Sequence, residues 1–375
     1  MTTALCRKLG IDFPLFAFSH CRDVVAAVSR AGGMGVFGAA TYTPEELDRE
    51  LDWIDAHCGG KPYGVDLIVP NSLQGAGRAP GPEQALAALP AEHRDFVAAT
   101  LTARGIDPAG LDAARAASVD FVNNLNETGA ERMLDVAFAH PIALIANALG
   151  TPPPVMMQRA RDAGVPVAAL VGTRKHAQAQ IAAGVDILVA AGGEAGGHCG
   201  EVSTMVLVPE VVAVAGDTPV LAAGGIVTGA QMAAAVAMGA AGAWCGSVWL
   251  TTAEAEPAQV IKDKMLAASS TDTVRSRSRT GKTSRQLKSA WTEVWESAGP
   301  TPLPMPLQSL LTEPALDRVA KLAESGHAGA AELATYWVGQ GVGLMTQAMS
   351  AGAVVQAFKE DYLAAAERLM ATLEG

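Results

Sequence analysis

The chain has 375 residues, half of them apolar and only 17% charged, with a formal net charge of −11. Such a composition supplies a large buried core, and the acidic balance argues against a nucleic-acid or anionic-membrane binder, which would present broad basic surfaces. Five widely spaced cysteines with no CxxC pair imply neither a disulfide framework nor a zinc ribbon, and no metal site is expected.

The N-terminus, MTTALCRKLGID, lacks the apolar core of a signal peptide, so a reducing cytoplasm is the expected location. A strand at Phe13 to Phe18 precedes a helix from about Cys21 to Ala31, closed by Gly32-Gly33. A second strand spans Met34 to Ala39, and Thr43-Pro44-Glu45-Glu46 then reads as a capping box with proline at the first helical position. Tyr63 to Val69 is the third strand, stopped by Pro70.

Residues 71–139 are too many for one crossover. They contain the loop GAGRAPGP, a helical segment around Glu83 to Leu101 and another around Glu131 to His140, and together they read as an inserted lid. Strands four to eight follow at Ile142 to Asn147, Pro166 to Val171, Ile187 to Ala190, Val220 to Ala223 and Ala243 to Trp249. Helices alternate with them near 153–163, 174–183, 205–215 and 229–238. Residues 218–253 carry no charge, yet six glycines and many alanines break them into strand, loop, helix and strand rather than a membrane span. Eight strand-helix units predict an α/β fold of the (β/α)8 TIM barrel class, over residues 1–255, with its active site at the C-terminal ends of the strands. An open doubly wound sheet is the alternative, but no GxGxxG follows the first strand.

Residues 256–375 form a C-terminal extension packing on the barrel. The extension holds the basic segment RSRSRTGKTSRQLK, the proline-rich GPTPLPMPLQ and further helices. The last helix has apolar positions at Val355, Phe358, Tyr362, Ala366, Leu369 and Leu373, a stripe that suits packing on the barrel or on a second subunit, so a homodimer is the candidate assembly.

The chemistry concentrates after strand six, in AGGEAGGHCG, where His198 is the one group titrating near neutral pH. Cys199 reads as packing and Glu194 as a residue that orients the loop. Ala222-Ala223-Gly224-Gly225-Ile226 and Trp244-Cys245-Gly246-Ser247 follow strands seven and eight, where such barrels bind phosphate through backbone N–H groups. Arg275, Arg277, Arg279, Lys282, Arg285 and Lys288 are either a solvated face or a grip for an anionic substrate or a nucleotide phosphate.

Together EAGGHCG (194–200), PVLAAGGIVTG (219–229), AMGAAGAWCGS (237–247) and VAAVSRAGGMG (25–35) resemble the nitronate monooxygenase family, formerly 2-nitropropane dioxygenases, which also includes flavin-dependent enoyl reductases. LPMPLQ (303–308) and GQGVGLM (339–345) extend the likeness toward the C-terminus. The resemblance implies FMN over the barrel mouth, His198 as catalytic histidine beside it, Gly196 and Gly197 near the flavin, and Gly224, Gly225 and Trp244, Cys245, Gly246 and Ser247 around its phosphate.

Departures from the family pattern bear on the substrate. Asp66 stands in GVDL where many members have asparagine and is expected at the flavin; Ala191 replaces a frequent glutamine; Phe18-Ser19-His20 replaces an APM-like segment and brings His20 to the flavin face as a second candidate catalytic residue. Lys282 and Gln340 are candidate substrate-binding residues. The leading expectation is oxidation of an alkyl nitronate with O2. One alternative is a reductase using NAD(P)H as co-substrate on an unsaturated or cyclic, CoA-linked acyl thioester. Another is a barrel that binds a phosphate-bearing ligand without redox chemistry.

Overall fold

In the computed structural model, residues 3–69, 82–118 and 127–374 are described; the GAGRAPGP loop falls almost wholly outside them. Eight parallel strands close into a barrel in the order β1-β2-β3-β4-β5-β6-β8-β9. They are β1 (Leu15–Ser19), β2 (Met34–Gly38), β3 (Tyr63–Leu67), β4 (Leu144–Asn147), β5 (Val167–Val171), β6 (Ile187–Ala191), β8 (Val220–Ala223) and β9 (Gly242–Cys245). Alternate residues face inward, and Phe16, Val36, Leu144, Ile187, Leu221 and Trp244 fill the interior. The short N-terminal helix Ala4–Leu9 adds Leu5, Cys6 and Leu9 to this inner cluster. The other strand faces meet the surrounding helices in the larger apolar cluster.

Local signals place the helices as the sequence predicts. Thr43 accepts from the Glu46 N–H at 3.2 Å while Glu46 Oε2 accepts from the Thr43 N–H at 2.8 Å, the reciprocal pair of a capping box. Two expectations change. The helical segment around Glu83 to Leu101 is two helices, Pro82–Ala87 and Ala91–Thr102, because Pro90 has no N–H to continue the first and starts the second. Strand eight ends at Cys245 rather than Trp249: Gly246 turns to φ −115° and ψ −57°, and Ser247–Trp249 forms a 3-10 turn locked by Trp249 Nε1 donating to the Cys245 carbonyl at 2.8 Å.

The eighth helix of the outer ring comes from the end of the chain. Ala351–Glu374 packs against Gly229–Ala237 and Arg22–Arg30, so it closes the ring between the helices that follow β8 and β1. Val355 and Phe358 are fully buried and Tyr362 meets Phe13 edge-on at 6.1 Å. The stripe predicted to run on to Leu373 stops there: Leu369 is 53% and Leu373 80% exposed, since the helix outruns the barrel wall. Between β9 and this closing helix lies a long excursion, and its helix Leu307–Glu324 packs with the helices of residues 82–118. Arg115 Nε donates to the Leu311 carbonyl at 3.3 Å and Phe96 meets Trp295 at 4.8 Å, which joins the two insertions into one cap. Among the described residues the five cysteines are unbridged and no helix is long and apolar enough to cross a membrane.

Closure of the ring depends on one close approach. A Cβ on Gly229 would lie 2.0 Å from the Phe358 carbonyl oxygen and 2.7 Å from the Tyr362 nitrogen, both backbone atoms that cannot rotate away. Gly229→Val is therefore expected to cost more than about 2 kcal/mol by pushing the closing helix off the barrel. Urea unfolding checks this: a midpoint equal to that of the unsubstituted protein would refute it.

Candidate active site

The loop after β6 is shaped by its own carboxylate. Glu194 Oε2 accepts from the Thr204 N–H and from its hydroxyl, both at 2.9 Å, so the side chain caps the helix Thr204–Ala215 and folds the glycine-rich segment back over the mouth. Gly196 has no room for a side chain, since a Cβ would sit 2.7 Å from the Val338 carbonyl carbon. That face is occupied by protein backbone. Gly197 takes φ +73° with open space around it.

Next comes β7, the two residues Gly197–His198, which the sequence did not mark as a strand. It pairs antiparallel with β11 (Ser284–Leu287), which pairs in turn with β10 (Thr273–Ser276). The basic segment is thus a hairpin edge-bonded to the strand that carries His198. Its loop brings Thr280 to the imidazole, with Nε2 to Oγ1 at 2.8 Å. The Thr280 hydroxyl donates to the Lys282 carbonyl at 3.1 Å, so toward His198 it accepts, which puts the ring proton on Nε2 and leaves the Nδ1 lone pair open. Desolvation, reinforced by the charge of Lys282, lowers the His198 pKa and keeps the ring neutral near pH 7.

The cations of the hairpin divide sharply. Arg285 is buried and donates through Nη2 to the Gly193 carbonyl at 2.8 Å, Arg277 Nε donates to the Gly281 carbonyl at 2.8 Å, and Arg275 lies 3.7 Å from Glu201. Arg279 is 5% exposed and gives two 2.8 Å hydrogen bonds to Glu313. Arg277, Lys282 and Lys288 are exposed, so the hairpin combines buried, bonded arginines with a solvated rim of charge.

His20 stands across the mouth. Its Nδ1 lies 2.8 Å from the Gly38 carbonyl, which can only accept, so Nδ1 carries the proton and Nε2 is the basic nitrogen. Burial lowers its pKa, partly offset by that hydrogen bond, and the charge of Arg279 lowers it further. Asp66 faces into the top of the barrel from β3, 4% exposed, and its Oδ1 has no partner. Burial pushes its pKa up to about 7 against the opposing Ala148 N–H.

Neighbouring strand ends bring together a set of unpaired backbone N–H groups. Ala223 pairs with Trp244 in the β8–β9 register, which sets Gly224-Gly225 beside Gly246-Ser247. The backbone N–H groups of Gly224, Gly225, Ile226, Gly246 and Ser247 donate to no acceptor among the described residues. The Ser247 hydroxyl accepts from the Gly339 N–H at 2.8 Å, and the Gln340 N–H donates to the Glu194 carbonyl at 2.9 Å, so GQGVGLM is laced onto both loops. The side chains of Trp244 and Cys245 are committed elsewhere. Trp244 stacks on Phe16 at 6.0 Å inside the barrel, and Cys245 is buried toward the helices, its thiol pKa raised by burial. Neither side chain is available to a ligand.

A closed parallel barrel with a histidine and an unpaired N–H cradle at the C-terminal strand ends defines an enzyme of the TIM-barrel class. The family model described as nitronate monooxygenase matches residues 3–361, and the chain belongs to that family. It is 53% identical over 97% of each chain to a Mycobacterium tuberculosis protein that its name places among monooxygenases without a substrate, and 28% identical to a Staphylococcus haemolyticus protein named "Probable nitronate monooxygenase", covering 91% of this chain and 92% of that one. Nitroalkane oxidase from Streptomyces ansochromogenes superposes with a TM-score of 0.78 at 25% identity, over 98% of this chain and 100% of that one. FabK from Thermotoga maritima, at 23% identity and a TM-score of 0.71 over 99% of each chain, shares the fold. The protein is an oxidoreductase of the flavin-dependent kind.

The residues present fit a flavin: unpaired N–H groups suit its phosphate, and the orphaned Asp66 oxygen suits a polar ring edge. Because the folded-state pKa of Asp66 lies above the unfolded value of about 3.9, its stabilising contribution is full at low pH and is lost as pH rises through about 7. Unfolding of the flavin-free protein between pH 5 and pH 8, compared with Asp66→Asn, is expected to show a steeper loss in the unsubstituted protein. Parallel pH profiles would mean that Asp66 is not protonated on folding.

Proposed function

We propose that the protein is an FMN-dependent monooxygenase that oxidises an alkyl nitronate with O2. The observation that carries this reading is a neutral, hairpin-anchored His198 on one strand end and an unpaired N–H cradle on the next two. In this reading Gly224 to Ile226, Gly246 and Ser247 hold the FMN phosphate through their N–H groups, and Asp66 meets the isoalloxazine edge. When bound, FMN supplies acceptance of an electron from the anionic substrate and its return to O2.

The protein's own groups bind and orient that substrate. Lys282, exposed beside His198, provides positive potential that favours an anion, and the Gln340 backbone, tied to the Glu194 loop, holds the rim of the site in place. His198 is held by Thr280 with Nδ1 free to take an α-proton where the neutral nitroalkane is the form that enters. His20 presents Nε2 from the opposite side with Nδ1 fixed by Gly38.

His198→Asn is expected to bind FMN normally and to lose at least about a hundredfold in turnover of the neutral nitroalkane, the range removed with a positioned acid–base group. Retention of full turnover by a flavin-loaded variant would discard the role. Anaerobic mixing provides a second check. The flavin should stay oxidised with NADH or NADPH and bleach on adding a nitronate. Rapid bleaching by a nicotinamide alone would instead make the protein a reductase.

A further inference from the structure

We propose that Arg279 is the anion-recognising residue of the site, a fixed donor for the oxygens of a planar oxyanion substrate. The assignment rests on the reading of the barrel mouth as the place of reaction. It goes further by naming the group that selects ionised over neutral substrate.

Arg279 is presented on an unusually constrained loop. Gln308 Nε2 donates to the Ser278 carbonyl at 2.7 Å, the Thr312 hydroxyl donates to the Arg279 carbonyl at 2.7 Å, and Glu313 receives Nε and Nη2 of Arg279 at 2.8 Å each. All three come from one face of the helix Leu307–Glu324, and Gln308 and Thr312 are fully buried. The guanidinium carbon lies 3.6 Å from the centre of the Trp337 ring, so both the plane and the direction of the fork are fixed.

One donor is left over. Nη1 of this buried side chain has no partner, and neither does Nε1 of the Trp337 ring stacked on it. An unmet buried guanidinium N–H costs more than an ordinary unmet hydrogen bond, and a scaffold this rigid cannot turn it toward water. The next residue, Thr280, holds His198, Glu313 lies within electrostatic reach of that imidazole and Arg279 within reach of His20, so the clamped pair stands close to both histidines. Glu313 neutralises most of the formal charge without using Nη1. The arrangement therefore rewards an acceptor oxygen carrying partial negative charge, such as one of the two oxygens of a nitronate.

Nitrate, a planar oxyanion, serves as the probe, with calorimetric titration and perturbation of the flavin spectrum as readouts. Arg279→Met combined with Glu313→Met removes the donor without stranding a buried carboxylate. It is expected to weaken nitrate binding by about 10- to 100-fold, the range for a hydrogen bond to a charged group. Nitronate KM should rise by a similar factor, with less change in kcat. Arg279→Lys, which keeps charge and loses the fork, should fall between; it decides the matter if the double variant does not fold. Unchanged nitrate affinity in a folded variant, or no binding by the unsubstituted protein, overturns the proposal. A protein that binds nitrate through Arg279 yet takes up no flavin would sink the monooxygenase reading and leave the anion site standing.

Discussion

The architecture of the mouth depends on a pairing of two residues. Gly197–His198 is bonded along its edge to Ser284 and Arg285, and that ladder fixes the end of the glycine-rich loop whose start Glu194 anchors. Glycines at 192, 193, 196 and 197 make the loop costly to order, and the hairpin supplies the order from outside. The imidazole thus takes its position from the C-terminal excursion rather than from the barrel strand that leads to it.

That division of labour extends to the charges. A run of six cations in an acidic protein reads as a surface for binding polyanions, yet Arg279 and Arg285 are buried and Arg277 bonds to a backbone carbonyl. Arg285 reaches Gly193 and ties the hairpin to the β6 loop a second time, while Arg279 is clamped on Glu313. The clamp suits arginine better than lysine because a planar fork can satisfy a carboxylate on one side and keep a donor on the other.

Much of the barrel was legible because its strands are short apolar runs alternating with capped helices, a pattern set by local chemistry. Thr43 with Glu46 is an instance where the motif and the hydrogen bonds agree. The misread ends have local causes as well: Pro90 breaks a helix, and the Trp249 indole folds back on Cys245 to end a strand. The site was less legible where it depends on contacts between distant segments. Glycine density and the lone imidazole marked His198, but its partner Thr280 lies 82 residues further on. No spacing rule connects the two. Nor does sequence reveal that Trp244 and Cys245 commit their side chains to the barrel interior and to the helices; inward and outward alternation along β9 decides it.

The outer ring is completed by Ala351–Glu374, which joins the two ends of the chain: Lys359 Nζ donates to the Ala31 carbonyl at 2.9 Å across 328 positions of sequence. A protein made from its N-terminus therefore has all eight barrel strands available long before the last helix exists, and until then Gly229–Ala237 and Arg22–Arg30 keep apolar flanks exposed. During synthesis the open seam is where a nascent chain would attract chaperones or mispair with a neighbour. Contacts of such sequence separation also slow the final closing step.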